Sequence, residues 1–260
     1  MPHRVPGGNN SAMSCACFRF YAELNDFLPP QRRGRQFCHR FERQASVKDM
    51  IESFGVPHTE VDLILINGES VDFSARVEDD DRISVYPAFE RFDISPLTRL
   101  RPKPLREPAF VVDANLGRLA RYLRLLGFDT LYRNDYDDAT VAQISHQEHR
   151  ILLTRDRVLL RRSIITHGYF VRADRPREQL AEVVARFDLC RLLHPFSRCT
   201  RCNGLLERVE KREIASRLEP KTRRYYDDFL ICPDCGQIYW RGSHHERAVR
   251  LMEGLCGRGG

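Results

Sequence analysis

Phe110-Val111-Val112-Asp113-Ala114-Asn115-Leu116-Gly117-Arg118-Leu119-Ala120 decides the fold. Three apolar residues in a row read as a short buried strand, and Asp113 stands at its end. Leu116, Leu119, Ala120, Leu123 and Leu126 then recur at helical spacing, with Gly127 placed to cap the helix. A strand passing directly into a helix opens a βαβ unit. The pattern repeats outward from there. Thr130–Tyr132, Ile151–Thr154 and Tyr169–Val171 read as strands, and 139–148, 158–162 and 178–187 as helices. Strands separated by crossover helices predict, over 109–193, a parallel sheet with helices on both faces.

Functional groups in such a sheet collect where strands end at the carboxyl edge. Asp113 follows the first strand, Asp156 the third and Asp174 the fourth. Asp138 precedes the second helix, with Asp137 and Asp135 as close competitors. Carboxylates gathered at one edge suit Mg²⁺ or Mn²⁺, hard ions that take oxygen ligands. Such ions activate water and stabilise a phosphodiester under attack. Asp113 and Asp156 are the expected metal ligands, and Asp113, Asp138, Asp156 and Asp174 the catalytic candidates. The competing reading is helix capping, because each of the four precedes a helix.

Arginine surrounds these acids. Arg118, Arg121 and Arg124 fall on the helix face opposite the apolar one, and Arg155, Arg157 and Arg161 flank Asp156. Guanidinium groups pair with phosphate bidentately and stay charged, so these six are the candidate nucleic-acid contacts. The alternative is a solvated helix face.

Further along, Cys199-Thr200-Arg201-Cys202 and Cys232-Pro233-Asp234-Cys235 form two Cys-x-x-Cys pairs 29 residues apart. Two such pairs complete a tetrahedral four-thiolate zinc site, closed and therefore structural, and predict a zinc ribbon over 194–256. The charged stretch Val209–Asp228 reads as a mobile arm. Trp240 and Arg241 are further candidates for contact with nucleic acid, or else pack the ribbon's own core.

These motifs, taken as Val112–Ala120, Leu123–Thr130 and Arg150–Arg157 in that order, resemble the Mut-seven C-terminal RNase domain, a PIN-like family with an added zinc ribbon. The resemblance covers about Phe110 to Leu255. It implies ribonuclease activity through Asp113, the acid near Asp138, and Asp156, and it implies an RNA substrate. A ubiquitin-like domain ahead of the nuclease is a known arrangement in that family.

The N-terminal part fits that arrangement. Residues 15–94 show the order β-β-α-β-β of a β-grasp fold: Cys17–Tyr21, Phe37–Phe41, a helix capped by Ser46, Val61–Ile66 turning at Asn67-Gly68, and Ile83–Tyr86. The segment resembles the ubiquitin-like sulfur carriers, but Pro87-Ala88-Phe89-Glu90 stands where they carry Gly-Gly. Carrier chemistry is therefore not expected, and recruitment of a protein partner is. Residues 1–14 read as a disordered leader without a secretory signal. Residues 95–108 read as a linker marked by four prolines.

Charge is uneven: residues 1–94 carry a net −4 and residues 95–260 a net +10. A polyanion partner is thus expected for the second part. Nine cysteines without a secretory signal predict a cytoplasmic, reducing setting and a metal site in place of a disulfide framework. No apolar run reaches the length of a membrane span. The expected activity is metal-dependent hydrolysis of RNA, the zinc ribbon helping to bind it. The alternative is a non-catalytic RNA-binding adaptor whose β-grasp domain recruits a protein.

Overall fold

The computed structural model describes residues 13–87 and 108–257. Nearly all of the expected leader and linker lies outside them. The chain divides into two compact units, 1–104 and 105–260.

In the first unit the elements are β1 (Ser14–Phe20), β2 (Phe37–Phe41), α1 (Val47–Ser53), β3 (Val61–Ile66), β4 (Glu69–Ser70) and β5 (Arg82–Pro87). The sheet order is β2-β1-β5-β3-β4, with β1 and β5 parallel at the centre and every other pair antiparallel. This is the β-grasp arrangement. The α1 start follows from a reciprocal cap. Ser46 Oγ accepts the Asp49 amide at 3.1 Å and gives its proton to the Asp49 carboxylate at 2.7 Å. Phe18, Phe20, Ile51, Ile64 and Ile83 fill the core.

The second unit begins with β6 (Phe110–Val112), α2 (Gly117–Leu125), β7 (Thr130–Leu131), α3 (Asp138–Gln147), β8 (Ile151–Thr154), α4 (Arg157–Leu160), β9 (Gly168–Phe170) and α5 (Pro176–Arg186). All four strands are parallel, in the order β7-β6-β8-β9. Alternate residues serve opposite faces, as a strand's period of two requires. Phe110, Val112, Ile151 and Leu153 pack with Leu119, Leu123, Leu180 and Val183 from α2 and α5. Val111 and Leu152 pack with Val141, Leu159 and Leu160 from α3 and α4. A sheet buried on both faces explains why β6 and β8 are uninterrupted apolar runs.

The remainder adds β10 (Glu207–Val209), α6 (Lys211–Ile214), α7 (Pro220–Tyr225), β11 (Phe229–Ile231), β12 (Ile238–Trp240) and α8 (Ser243–Cys256). The three strands form an antiparallel sheet in chain order. The stretch expected as a mobile arm folds back on this sheet. Ile214 and Leu218 bury themselves against Phe229 and Ile238, giving the ribbon a small apolar core.

One cysteine expectation needs correction. Cys17 pairs with Cys38, and Cys190 with Cys256, as disulfides. Cys17 and Cys38 are direct register partners on β1 and β2. Cys256 reaches Cys190 because Leu251, Met252 and Leu255 of α8 pack against the core under α2 and α5. Neither juxtaposition shows in linear spacing. The four cysteines of the two Cys-x-x-Cys pairs stay free. Among the described residues no helix is long and apolar enough to cross a membrane.

Candidate metal and nucleic-acid site

The chain leaves β6 toward β7 on one side and returns to β8 on the other. The switch point of the sheet therefore lies between β6 and β8, where α/β sheets open a crevice at the strands' carboxyl ends. Asp113 and Asp156 stand at those two ends. Parallel register places Val112 beside Leu153, and the Asp113 amide donates to Leu153 O at 3.0 Å. The Thr154 hydroxyl links the two acids. It donates to Asp113 Oδ2 at 2.8 Å and accepts the Asp156 amide at 2.9 Å.

Their environments differ. Asp113 is 9% exposed, and its side chain caps nothing, although it precedes a 3-10 turn at Ala114–Leu116. A buried carboxylate with one hydroxyl partner and no capping duty has spare lone pairs. Asp156 does cap α4: Oδ1 accepts from Val158 N at 2.7 Å and Leu159 N at 3.3 Å. Its second oxygen has no partner among the described residues. A carboxylate that caps with one oxygen can still ligate with the other.

Asp138 and Asp174 are placed differently from these two. Asp138 is the exposed first residue of α3, and Asp137 is the cap, accepting from Thr140 N at 2.8 Å. The Thr140 hydroxyl, together with that amide bond, holds the Asp137 carboxyl below the usual carboxylate range. Asp174 is 84% exposed and pairs with Arg155 Nη2 at 2.6 Å. The α5 cap position belongs to Arg175. Among the described residues no third carboxylate or imidazole gathers with Asp113 and Asp156 closely enough to share one ion directly.

Arg118 and Arg121 are exposed on α2 beside a cavity of about 430 Å³ that opens immediately after Asp113. Arg155 is tied to Asp174 and to Ala173 O, and Arg157 lies 5.1 Å from the Phe170 ring. Arg161 is exposed just past α4. Arg124 departs from the expected basic face. It is 3% exposed, because α2 turns it toward the segment that follows the sheet. Its guanidinium donates to Thr130 O at 2.9 Å, Arg201 O at 2.9 Å and Thr200 O at 3.4 Å. Burial pulls its pKa down, and the neighbouring Cys202 and Cys199 sulfurs push back. Arg124 thus holds the first cysteine knuckle and is not presented to a phosphate.

Residues not singled out by sequence complete this seam. Asn203, in the left-handed region at φ 79°, accepts the Thr130 amide at 2.9 Å and donates to Asp129 Oδ1 at 2.8 Å. Arg150 donates to the same oxygen at 2.7 Å, and Arg198 stands 3.5 Å from the other. Burial alone would raise the Asp129 pKa, but these partners bring it below the ordinary 3.8. Gly127 (φ 98°) closes the seam, since a Cβ there would run into the His194 carbonyl.

Cys199, Cys202, Cys232 and Cys235 bring their sulfurs within 4.8 Å of one another. The contacts of 3.6 Å (Cys199 to Cys235) and 3.4 Å (Cys202 to Cys232) approach the roughly 3.8 Å expected of sulfurs about 2.3 Å from one tetrahedral zinc. Burial raises the Cys199 pKa. The Tyr239 hydroxyl at 3.1 Å and the Cys202 and Arg201 amides outweigh it and bring the thiol to about 7. Burial then drives Cys202 up to about 12, reinforced by the neighbouring sulfurs. Four thiol sulfurs converging on one point, with backbone amides directed at them, fit a zinc ion. Tyr239 serves this cluster, its own pKa raised to about 12 by burial and Cys199. Trp240 is 38% exposed and lies 6.4 Å from the Tyr226 ring, and Arg241 is exposed beside it.

Residues 108–252 match the family model described as the Mut7-C RNAse domain, and residues 13–93 the one described as Mut7-C ubiquitin. The chain belongs to the Mut7-C RNAse domain family. Its membership supports a nuclease-type function, and the fold agrees with that family's expected architecture: a parallel sheet flanked by helices, with the cysteine cluster after it. No curated protein and no solved structure matches the chain. The Mut7-C ubiquitin match assigns the β-grasp unit to a domain type suited to protein interaction.

Proposed function

We propose that this chain is a ribonuclease that hydrolyses RNA with Mg²⁺ or Mn²⁺ held by Asp113 and Asp156. The observation that carries the reading is the position of Asp113: buried, at the switch point, released from capping and oriented by Thr154. An ion bound there would activate water and polarise the phosphodiester. Two carboxylates with substrate oxygens and waters suffice for Mg²⁺, which keeps much of its hydration. Thr154 aims the Asp113 carboxylate and ties it to the Asp156 backbone. Arg118, Arg121, Arg155, Arg157 and Arg161 neutralise the phosphate track, and Asp174 positions Arg155. Asp138 enters through solvent. In this reading residues 109–193 carry catalysis. Residues 194–256 form a zinc ribbon whose Trp240 and Arg241 extend the RNA contact. The β-grasp unit recruits a protein partner.

One observation favours the adaptor reading, namely that among the described residues no third acid joins the pair directly. The test uses end-labelled RNAs, single-stranded and structured, with Mn²⁺, beside Asp113→Asn and Asp156→Asn. Cleavage that requires the metal and drops at least about 100-fold in both variants supports the nuclease, since even outer-sphere changes cost about 10–100-fold. RNA binding without cleavage of any substrate supports the adaptor.

A further inference from the structure

The cavity after Asp113 has its own chemistry. It lies between the start of α2 and the start of α5, with a volume of about 430 Å³, at the small end of ligand sites. Arg118 and Arg121 line it, and neither has an acidic partner among the described residues. The carboxylate on its rim, Asp174, is already paired with Arg155. The cavity therefore carries two uncompensated guanidinium charges. Its other walls are neutral. Tyr132 closes one side, its hydroxyl donating to Ala114 O at 3.1 Å, and Gly117 leaves it space, because any side chain there would collide with that hydroxyl. Gln179, 5% exposed, gives its amide nitrogen to Ala173 O at 3.1 Å and Asp174 O at 3.3 Å. Its oxygen is left as an acceptor for a ligand. Two cations beside a pocket of aromatic ring, proline and amide match an anion attached to a neutral ring system.

We infer that this cavity is a nucleotide subsite: it takes one nucleoside monophosphate unit of the RNA beside the bond to be cut, the phosphate on Arg118 and Arg121 and the nucleoside against Tyr132 and Gln179. The inference rests on the nuclease reading for its placement next to the scissile bond, but the site binds by itself. It would fix the strand one nucleotide away from Asp113.

The full-length zinc-loaded protein carrying Asp113→Asn is titrated calorimetrically with 5′-AMP, 5′-UMP, adenosine and inorganic phosphate. That substitution removes phosphate binding through a cation at residue 113. A monophosphate is expected to bind at least about tenfold more tightly than adenosine or phosphate, the charge-assisted contacts supplying the difference. Arg118→Gln with Arg121→Gln, both on the surface, should remove that advantage and leave adenosine binding unchanged. The inference is overturned if neither monophosphate binds, if inorganic phosphate binds as well as the nucleotides, or if the arginine substitutions change nothing. Monophosphate binding in a protein that never cleaves RNA keeps the subsite and removes the nuclease; cleavage without it does the reverse.

Discussion

The Thr154 hydroxyl is the smallest part on which the candidate site depends. It holds the Asp113 carboxylate and the Asp156 amide, so Thr154→Val should leave both acids in place but Asp113 loosely aimed. The expected result is a fall in kcat of about 10–100-fold with KM little changed, the usual cost of losing a ligand's support. A raised KM with kcat unchanged would mean the threonine serves binding. Asp129 makes a separate prediction. Its carboxyl is held below 3.8, so its contribution to stability is fully present above that pH and is lost as pH falls through the lowered value. Asp129→Asn should therefore be less stable than wild type at neutral pH, and denaturant midpoints should converge once the pH has fallen through the lowered value. A gap that persists in acid would show that the hydrogen-bond geometry matters and the charge does not. Asp113 and Asp156 were legible as residues because strand ends announce themselves. Which one caps and which is free was not, since both precede helical turns and only the hydrogen bonds distinguish them.

At the scale of elements, the apolar runs Phe110–Val112, Val61–Ile66 and Ile151–Thr154 were read with their bounds, because fully or half-buried strands leave uninterrupted or alternating patterns. The helix after Asp113 was legible from its spacing. Helices α6 and α7 were not: they are short and dense in charge, α6 buries only Ile214, and α7 buries nothing. Arg124 was misplaced for a related reason. Helical spacing says which residues share a face, but the seam with Thr200 and Arg201 comes from a segment about 76 residues away. Arg124→Met should cost about 3 kcal/mol, because carbonyls buried against it lose their donor. Thermal melting would show this directly, while Arg121→Met, on the exposed face, should shift the melting temperature little. Comparable losses in the two would contradict the seam.

The whole molecule combines a sheet with a large apolar core and a small-cored segment whose four cysteine sulfurs lie within 4.8 Å of one another. Removing zinc with a chelator should unfold the ribbon strands and release α8's neighbours while the β-grasp unit stays folded, since metal binding is folding free energy for so small a core. Circular dichroism with zinc titrated back would follow it, and an unchanged spectrum would remove the structural role. The disulfide between Cys190 and Cys256 spans 66 residues, for which chain entropy assigns up to about 4 kcal/mol. Family membership was legible from three ordered motifs, whereas these cross-links arise only once α8 packs and β1 pairs with β2. What binds at the sheet's switch point remains the central claim. Crystals of the full chain soaked in Mn²⁺ should show an anomalous peak within ligand distance of both the Asp113 and Asp156 carboxylates, absent from Asp113→Asn. A protein that cleaves RNA yet shows no ion there, or holds it elsewhere, would contradict the account.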